Sequence, residues 1–341
     1  MVYVKRKKYI ISFCKRNNKD DISSGGAATK APRDVETLAE KNGYEKILIS
    51  DNVYKNVIFR SLNIIWCLIH VAVNLKRQTK VIFQYPAVSP YLMPFFLPFF
   101  KNCHLILIIH DINSIRTNGK LSRLEQFCMS FFDDIIVHSD MMKNCLKAKL
   151  PNSKYHILNY FPYLAEPEIV KRKYGLDVTF AGNLYKSPSI IEYFDHIKKI
   201  RLLLYVKKRD YVEFNEKTIY KGLFSPDSIK GIEGNWGLMW DGDSMNTCEG
   251  NIGLYTKMNA PHKVSLYTVA KLPIVIWEGA AAADLVRKER IGITISSLMQ
   301  IEPALLAITE EQYKEYSNNI AKFSQKVCSG ENLLRILSEI K

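Results

Sequence analysis

A lysine at the start of a predicted helix is the residue of this sequence best placed to bind an anion. Lys263 follows the polar, glycine- and asparagine-bearing segment CEGNIGLYTKMNAP and begins the helical pattern HKVSLYTVAK. The N-terminus of a helix favours phosphate because its first N–H groups are unpaired and the helix dipole is positive there. A lysine adds a mobile positive charge. This spacing predicts a phosphate site, and a solvated lysine beside a capped helix is the alternative.

A second turn shows the same order of strand, polar loop and helix. The pattern DVTFAG predicts a strand that breaks at Gly182, and the polar residues after it include Asn183 and Lys186. A turn of this kind also exposes backbone N–H groups to an anion. The apolar run GLMW then ends in an acidic turn with Asp241 and Asp243, again at the end of a predicted strand.

Two side chains that can accept a proton follow one predicted strand. The run HLILIIHD predicts a buried strand over 104–111 that ends in His110 and Asp111. Residues at the carboxyl ends of parallel strands face the ligand crevice. A carboxylate or an imidazole there can take the proton from an attacking hydroxyl. Asp111 is the first candidate and His110 the second, while a helix cap is the structural alternative for Asp111.

A glycine-bearing segment near the N-terminus, SSGGAATKAPRD, is a third candidate for ligand contact. Gly25 and Gly26 allow close approach of the backbone, and a helix is predicted from Arg33 to Asn42. A glycine-rich turn before a helix can hold a phosphate, and a flexible surface loop is the alternative. Lys30 lies four residues after Gly26 in the same segment.

These residues are positioned by two successive runs of alternating strands and helices. Strands are predicted at 8–14, 46–50, 80–86, 104–111, 133–139, 177–182 and 201–206, and helices at 33–42, 60–75, 121–132 and 310–329. A strand, a glycine turn and a capped helix are predicted over 218–229. Such alternation is typical of parallel sheets covered by helices. The sequence predicts an α/β protein with Rossmann-like domains at 1–165 and 166–325 and a last helix at 326–341.

Composition limits the kinds of partner. The chain has 341 residues, 47% of them hydrophobic, which suits two globular domains. A net charge of +14 indicates a polyanion, an anionic membrane surface or phosphorylated substrates. The charges are spread along the chain and are not interleaved with aromatic residues, so nucleic acid is not the expected partner. Seven cysteines without a Cys-x-x-Cys spacing argue against zinc and disulfides and favour a reducing compartment.

The segment SPYLMPFFLPFFKN, residues 89–102, combines aromatic residues with prolines and has no charge before Lys101. It is either an apolar patch that lies on a membrane or a kinked helix packed in the core or in an oligomer interface, and packing is favoured. No membrane-spanning helix is expected, because the long uncharged run 81–100 contains prolines at 86, 90, 94 and 98.

Several of these motifs together resemble a known family. PHKVSLYTVAKLPIV is similar to the nucleotide-sugar segment of GT-B glycosyltransferases, in which Pro-x-Lys begins a helix and a Leu-Pro strand follows. WDGDS, YTKMNAPHK and FAGNL resemble two bacterial groups, the β-1,6-galactofuranosyltransferases of surface-polysaccharide synthesis and the streptococcal glucosyltransferases that extend sugars on serine-rich adhesins. Many GT-B enzymes place a ribose-binding glutamate three residues after the lysine, whereas this chain has Leu266 there.

The resemblance implies a GT-B fold, with two Rossmann-like domains facing a cleft and a C-terminal helix crossing back to the first domain. It implies an inverting, cytoplasmic glycosyltransferase without a cofactor or a metal, in which lysines and helix dipoles neutralise the departing diphosphate. The donor site is then expected to be built from Gly182, Asn183, Lys186, Tyr220, Gly222, Asp241, Lys257, Asn259, Pro261, His262, Lys263 and Ser265. Plain packing is the alternative for Tyr220 and its neighbours. The resemblance also implies that Gly25, Gly26 and Lys30 belong to a loop on the acceptor side.

The implied partners are a UDP-sugar donor and a glycan or lipid-linked oligosaccharide acceptor. UDP-galactofuranose is the expected donor and UDP-glucose the alternative. A peripheral contact with the inner face of a membrane and a homo-oligomer are both compatible with the sequence. A non-catalytic subunit that binds glycan or protein is the alternative of another class; the presence of both the lysine and the strand-end carboxylates argues against it.

Overall fold

The computed structural model describes residues 7–13, 27–51, 54–165, 172–207 and 213–340. The chain divides into two compact domains. Domain 1 contains Ala28–Leu158 and the C-terminal residues from Asn332 onward, and domain 2 contains Asn159–Glu331. Strand β1 also belongs to domain 1.

Domain 1 is built on a parallel sheet with the strand order β2-β1-β3-β4-β5-β6. The strands are β1 (Lys8–Phe13), β2 (Glu45–Ile49), β3 (Lys80–Tyr85), β4 (His104–Ile109), β5 (Asp134–Val137) and β6 (Lys154–Ile157). The helices are α1 (Ala27–Lys41), α2 (Val57–Asn74), α3 (Met93–Phe96), α4 (Asn113–Asn118), α5 (Arg123–Met129), α6 (Asp140–Lys147) and the C-terminal α13 (Glu331–Glu339). A 3₁₀ turn, Leu97–Phe100, follows α3. The residues of β4 after His104 are all apolar, which fits the central position of this strand, since a central parallel strand is covered on both faces.

Domain 2 has a second parallel sheet, with the order β12-β11-β10-β7-β8-β9. Its strands are β7 (Asp177–Gly182), β8 (Arg201–Val206), β9 (Thr218–Tyr220), β10 (Trp236–Met239), β11 (Ile274–Trp277) and β12 (Gly292–Ile295). Its helices are α7 (Ser189–Tyr193), α8 (Gly250–Tyr255), α9 (His262–Val269), α10 (Ala283–Glu289), α11 (Ile301–Ala307) and α12 (Glu310–Ser329). The chain runs outward from β7 to β9 and then returns to β10 on the other side of β7. The strand order therefore reverses between β7 and β10, where open α/β sheets bind ligands.

Several elements differ from the expectation. Helix α1 begins at Ala27 and not at Arg33, because Pro32 lies close enough to its start to cost only one early hydrogen bond. No helix forms at 225–229 within the described residues, where the chain makes turns instead. The predicted loop before Lys263 contains the short helix α8, and the edge strand β6 was not anticipated.

The domain limits follow from the packing of two short segments. Tyr160 stacks edge-on against Phe323 at 4.9 Å, and the N–H of Tyr163 donates to the carbonyl of Val327 at 3.1 Å. Residues 160–163 are therefore part of domain 2, earlier than the expected boundary at 165. Helix α13 belongs to domain 1, where Asn332 Nδ2 donates to the carbonyl of Leu158 at 2.8 Å.

Helix α2 is long and apolar enough to cross a membrane, judged by length and composition alone. Only 11% of its 18 residues are buried. Asn56 caps its N-terminus by accepting hydrogen bonds from the N–H groups of Ile58 and Phe59.

Candidate active site

The side chain of Lys263 lies at the point where the strand order of domain 2 reverses. Lys263 is the second residue of α9, and its Nζ donates to Asp241 Oδ1 at 2.8 Å. Asp241 follows β10, and the neighbouring strand β7 ends at Gly182. Both charged side chains are 16% exposed, so the pair is accessible from one side only. A partly buried cation at a ligand crevice is suited to binding an anion.

The stem of Lys263 needs the space that a side chain at position 182 would occupy. A Cβ atom built on Gly182 would lie 2.9 Å from Cε and 3.0 Å from Nζ of Lys263. On the same side, Nζ lies 4.5 Å from the centroid of the Phe180 ring, a cation–π contact. Glycine and phenylalanine of β7 therefore hold the lysine across the strand end.

Asp241 is fixed by the loop that follows β7. Ser187 Oγ lies 2.8 Å from Asp241 Oδ1 and 2.9 Å from the carbonyl of Trp240. The N–H of Gly242 donates to the carbonyl of Lys186 at 2.9 Å. Gly242 has φ +133°, a conformation that a residue with a side chain rarely adopts. The two strand-end loops are thus joined by hydrogen bonds, and Asp241 Oδ1 receives both Ser187 and Lys263.

A buried tyrosine ties β7 to β10 beneath this site. Tyr267 of α9 accepts from the N–H of Ala181 at 2.9 Å and donates to the carbonyl of Leu238 at 3.0 Å. Burial raises the pKa of Tyr267 far above its ordinary value, so its hydroxyl stays protonated. Its ring lies where a Cβ atom of Gly237 would be, at 2.4 Å from Cγ. Helix α9 is therefore held in a fixed position against both strands.

Cys248 lies in the loop next to Asp241 but is not a nucleophile. Its side chain is buried, and burial raises its pKa to about 12, with a smaller contribution from the charge of Asp241. A thiol with this pKa stays neutral at physiological pH. It therefore packs as a small apolar residue.

The remaining predicted donor residues around α9 have separate surroundings. Pro261 is the N-cap residue of the helix, and His262 stacks on Tyr163 with ring centroids 4.8 Å apart. Ser265 is buried and donates to the carbonyl of Phe161 at 2.6 Å, so its hydroxyl serves packing inside domain 2.

Lys257 and Asn259 follow helix α8. Lys257 Nζ lies 5.6 Å from the ring centroid of Trp277, at the end of β11, and the N–H of Asn259 donates to the carbonyl of Tyr255 at 3.0 Å. Lys257 is thus a second cation near a carboxyl strand end of the domain 2 sheet. The strand whose end it contacts, β11, pairs with β10.

The loop after β7 is organised by Asn183. Its Oδ1 accepts from the N–H of Tyr185 at 2.9 Å, which closes the turn, and Asn183 and Lys186 are both exposed. Tyr220 and Gly222 lie at the end of the edge strand β9, which β8 separates from β7. Tyr220 stacks on Phe214 at 5.2 Å, and Gly222 has φ +78°. The structure shows a packing contact for Tyr220. It places Tyr220 and Gly222 on an edge strand, away from Lys263 and Asp241.

In domain 1 the two candidate bases lie at the carboxyl end of β4. The N–H of His110 donates to the carbonyl of Tyr85 at 2.7 Å, and its Nε2 lies 2.7 Å from Gln84 Oε1. Because that oxygen is an acceptor, Nε2 carries the proton. Asp111 forms an ion pair with Arg116 through Oδ2. Its other oxygen, Oδ1, is buried and has no hydrogen-bond partner within the described residues.

A buried polar chain connects His110 to the first strand. Gln84 Nε2 lies 3.3 Å from Glu36 Oε1, and Ser12 Oγ donates to Glu36 Oε2 at 2.8 Å. Ser12, Glu36 and Gln84 are all buried. The strand order of domain 1 reverses between β1 and β3. These hydrogen-bonded side chains lie at that reversal, and Gln84 holds the imidazole of His110.

The predicted acceptor-side loop falls differently. Gly25 and Gly26 lie outside the described residues. Lys30 lies within α1 and not in a loop; it is buried, and its Nζ contacts Asp34 Oδ2 at 2.6 Å. Lysine and aspartate four residues apart face each other on a helix, which explains the pairing.

The sequence did not identify three of the groups that hold this chemistry in place. Ser187 follows the recognised turn by one residue, Tyr267 appeared to be one more apolar position of α9, and Arg116 lies one helical turn beyond Asp111. Only Arg116 had a readable signal, because a cation shortly after a strand-end acid often pairs with it. Among the described residues, no group of three or more His, Cys, Asp or Glu side chains forms a candidate metal site.

Two parallel Rossmann-like sheets in separate domains are the GT-B architecture, and the comparison with solved structures shows the same fold. The crystal structure of HepE from Anabaena in complex with UDP superposes with a TM-score of 0.62 at 12% identity, over 97% of this chain and 98% of that one.

The sequence comparisons identify the family. Residues 8–160 match the Glucosyltransferase 3-like N-terminal domain and residues 178–340 match its C-terminal domain. The chain belongs to this family of glycosyltransferases. It is 29% identical to the β-1,6-galactofuranosyltransferase WbbI of Escherichia coli over 94% of this chain and 96% of that protein. It is 22% identical to glucosyltransferase 3 of Streptococcus gordonii over 64% of this chain and 65% of that protein.

Proposed function

We propose that this glycosyltransferase moves a galactofuranosyl unit from UDP-galactofuranose to a sugar hydroxyl of a glycan intermediate, with inversion and in the cytoplasm. The observation that carries the proposal is the position of Lys263, held by Gly182, Phe180 and Asp241 where the strand order of domain 2 reverses. The choice of sugar is supported by the galactofuranosyltransferase relative, which matches at higher identity and over more of the chain than the glucosyltransferase. UDP-glucose is the alternative donor, because the second relative is a glucosyltransferase.

Lys263 is proposed to bind the diphosphate of the donor. In the structure its charge is balanced by Asp241 at 2.8 Å. A diphosphate carries more negative charge than one carboxylate, and its oxygens accept strong charge-assisted hydrogen bonds. The ammonium group can turn from Asp241 to the ligand by rotation of its flexible stem, since both side chains of the pair are partly exposed. The lysine then stabilises the negative charge that develops as UDP leaves.

The donor site is proposed to act without a divalent metal. Asp241 Oδ1 already receives Ser187 and Lys263, and the carboxylate of Asp243 lies against Gly250, at 2.1 Å from where its Cβ would be. The two acids of the Asp-x-Asp motif therefore point to different neighbours. A metal bound by both acids of this motif would need them to converge.

Asp111 is proposed as the base that accepts the proton of the acceptor hydroxyl. Its Oδ1 is a buried carboxylate oxygen without a partner among the described residues, although buried polar atoms normally have one. An acceptor hydroxyl that donates to this oxygen would satisfy it and would be oriented for attack. Arg116 keeps the other oxygen in place. His110 is the second candidate. The contact between its Nε2 and Gln84 holds its ring at the same strand end.

The experiment is a binding and transfer assay with Lys263→Ala. Calorimetry with UDP should show affinity lowered roughly tenfold to a hundredfold, the range expected for one charge-assisted contact. Transfer should be measured with UDP-galactofuranose and UDP-glucose on the same acceptor glycan. Lys322→Ala, an exposed lysine of α12, is the matched control and should keep the affinity of the unmodified protein.

The outcomes separate the parts of the proposal. Unchanged UDP affinity in Lys263→Ala would remove this lysine from the donor site. Faster transfer from UDP-glucose than from UDP-galactofuranose would replace the proposed sugar while keeping the site. Loss of transfer upon metal chelation, with restoration by Mg²⁺ or Mn²⁺, would reject metal independence.

A further inference from the structure

Helix α2 of domain 1 presents an apolar face to solvent. The side chains of Val57, Ile58, Phe59, Leu62, Trp66 and Val73 are between 56% and 68% exposed. Residues 59, 62, 66 and 73 recur at helical spacing, so they form one stripe along the helix. The opposite side packs inward through Leu68 and Ala72. A surface helix of a globular domain normally exposes polar residues to water, whereas α2 exposes apolar ones along this stripe.

A second element extends the same surface. Helix α3 and the 3₁₀ turn after it pack against α2. Their inner side chains are buried in the core of domain 1, whereas Tyr91, Phe95 and Phe99 are 75%, 61% and 47% exposed. We call the exposed residues of α2 together with these three the apolar face. Large apolar side chains exposed on two elements that pack together are typical of a binding surface in soluble domains.

Both elements of the apolar face end at a cationic cavity of ≈ 720 Å³. The cavity is lined by Arg77, Gln78, Lys80, Lys101, Asn102, Cys103, His104 and Asp133. Arg77 follows α2 closely and Lys101 follows the 3₁₀ turn directly, and the two segments are joined by the Gln78 N–H, which donates to the carbonyl of Asn102 at 2.6 Å. The lining thus contains three cationic side chains and one carboxylate.

The acidic groups near the cavity are committed to other partners. Asp133 Oδ2 accepts from the N–H of Leu105 at 2.8 Å. Asp134, at the same end of β5, lies 2.6 Å from Nε2 of His104 and of His156. Arg77 and Lys101 are exposed at the rim. An incoming anion would therefore meet the two cations first.

We propose that domain 1 docks on an anionic phospholipid surface through this face. The apolar face enters the boundary between headgroups and acyl chains, and Arg77 and Lys101 bind lipid phosphate at the cavity. Apolar residues beside a group of Lys and Arg are the combination that binds interfaces with anionic lipids. The cavity lies at the amino ends of β3 and β4, whereas Asp111 lies at the carboxyl end of β4, so docking leaves the proposed base uncovered.

Charge favours a lipid surface over a second copy of the chain. A net charge of +14 repels an identical molecule and attracts an anionic membrane. Spanning of the membrane by α2 is inconsistent with its place in the fold. This helix connects β2 to β3 within one parallel sheet, packs on β2 and buries Leu68 and Ala72 in domain 1. A helix bound in this way lies on the membrane surface.

Trp66 gives a direct reporter of the docking. It is 67% exposed, whereas Trp236, Trp240 and Trp277 are at most 7% exposed, and these four are the tryptophans of the chain. The full protein is mixed with vesicles of phosphatidylcholine or of phosphatidylcholine with phosphatidylglycerol, and binding is measured by co-sedimentation and by tryptophan fluorescence. We expect binding and a blue shift only with phosphatidylglycerol, together with quenching by lipids brominated on their acyl chains.

Two pairs of substitutions test the two parts of the surface. Phe59→Ser with Trp66→Ser should abolish insertion, and Arg77→Glu with Lys101→Glu should weaken binding to anionic vesicles at least tenfold, at about 1 kcal/mol per cation. The matched controls are Leu254→Ser with Leu306→Ser and Lys288→Glu with Lys322→Glu, exposed positions of domain 2. The controls should bind vesicles as the unmodified protein does, and all variants should bind UDP unchanged.

Four results would overturn the proposal. The first is equal binding to both kinds of vesicle. The second is binding to anionic vesicles that the charge controls weaken as much as the cavity pair does. The third is a change of molar mass in solution caused by Phe59→Ser with Trp66→Ser in a protein that does not bind vesicles, which would make the apolar face an interface between copies. The fourth is suppression of vesicle binding by inorganic phosphate beyond the effect of chloride at equal ionic strength, which would assign the cavity to free phosphate and not to lipid.

Discussion

Gly182 and Lys263 share one space at the carboxyl end of β7: the lysine Nζ lies 3.0 Å from the position that a Cβ atom at residue 182 would take. In Gly182→Ala the added methyl group should push the flexible lysine tip away from Asp241 while the backbone stays as it is. We expect UDP affinity measured by calorimetry to fall roughly fivefold to tenfold, as for a weakened charge-assisted contact. Thermal unfolding should change little.

Gly237→Ala is the contrasting variant. Its Cβ would lie 2.4 Å from Cγ of the buried Tyr267 ring, which has no room to move. This substitution should lower the melting temperature, because overpacking a core costs about 1–3 kcal/mol. If Gly182→Ala destabilised the fold as much and left UDP binding intact at low temperature, the position would serve packing and not the lysine.

Asp241→Asn tests whether this acid restrains Lys263 or binds the ligand itself. The amide oxygen can still accept from Ser187 and Lys263, so the loops should keep their arrangement. Removing a negative charge from the diphosphate site should tighten UDP binding, roughly threefold to tenfold for charges about 4 Å apart at a dielectric close to that of water. The measurement is calorimetry at two salt concentrations, with Asp243→Asn as the control. Weaker binding by more than tenfold would mean that the Asp241 carboxylate contacts the donor directly.

Asp111→Asn should separate binding from chemistry. The substitution keeps the size of the side chain and removes its ability to take a proton. Turnover should fall by about a hundredfold to ten-thousandfold, the usual contribution of a general base, while UDP affinity stays the same. Arg116→Lys is the companion variant, because it loosens the carboxylate without removing it and should cost less. Full activity of Asp111→Asn would transfer the role to His110, which His110→Gln then tests.

The sequence predicted most of the strands of both sheets because parallel strands are short apolar runs, as in β4 and β8. It also predicted the helix that begins beside Lys263, since a proline followed by a helical pattern after a polar segment is a local signal. It missed α8, because glycines are poor helix formers and only tertiary packing supports this helix: a Cβ on Gly253 would lie 2.6 Å from Cys248.

Contacts between distant segments were beyond the reach of the sequence. The pairing of Ser187 with Asp241 and the hydrogen bonds of Tyr267 to Ala181 and Leu238 depend on which strands become neighbours. The exposed apolar stripe of α2 likewise could not be predicted from the sequence. Its apolar residues are compatible with a buried helix, and only the structure shows that Trp66 faces solvent.

Asp134 should make the stability of domain 1 depend on pH in the acid range. Burial alone would raise its pKa, but hydrogen bonds from His104 and His156 and the charges of these histidines hold the pKa well below the ordinary value of 3.8. The unfolded chain therefore binds a proton at a higher pH than the folded one does. The stabilisation from this carboxylate is complete above about pH 4 and is lost as the pH falls through the lower folded pKa. Asp134→Asn should lower the free energy of unfolding in urea by about 2 kcal/mol at neutral pH, and this loss should shrink below pH 4.

Asp140→Asn, at an exposed position of helix α6, is the control and should show no such dependence on pH. A loss of stability in Asp134→Asn that grew on acidification would contradict the assignment.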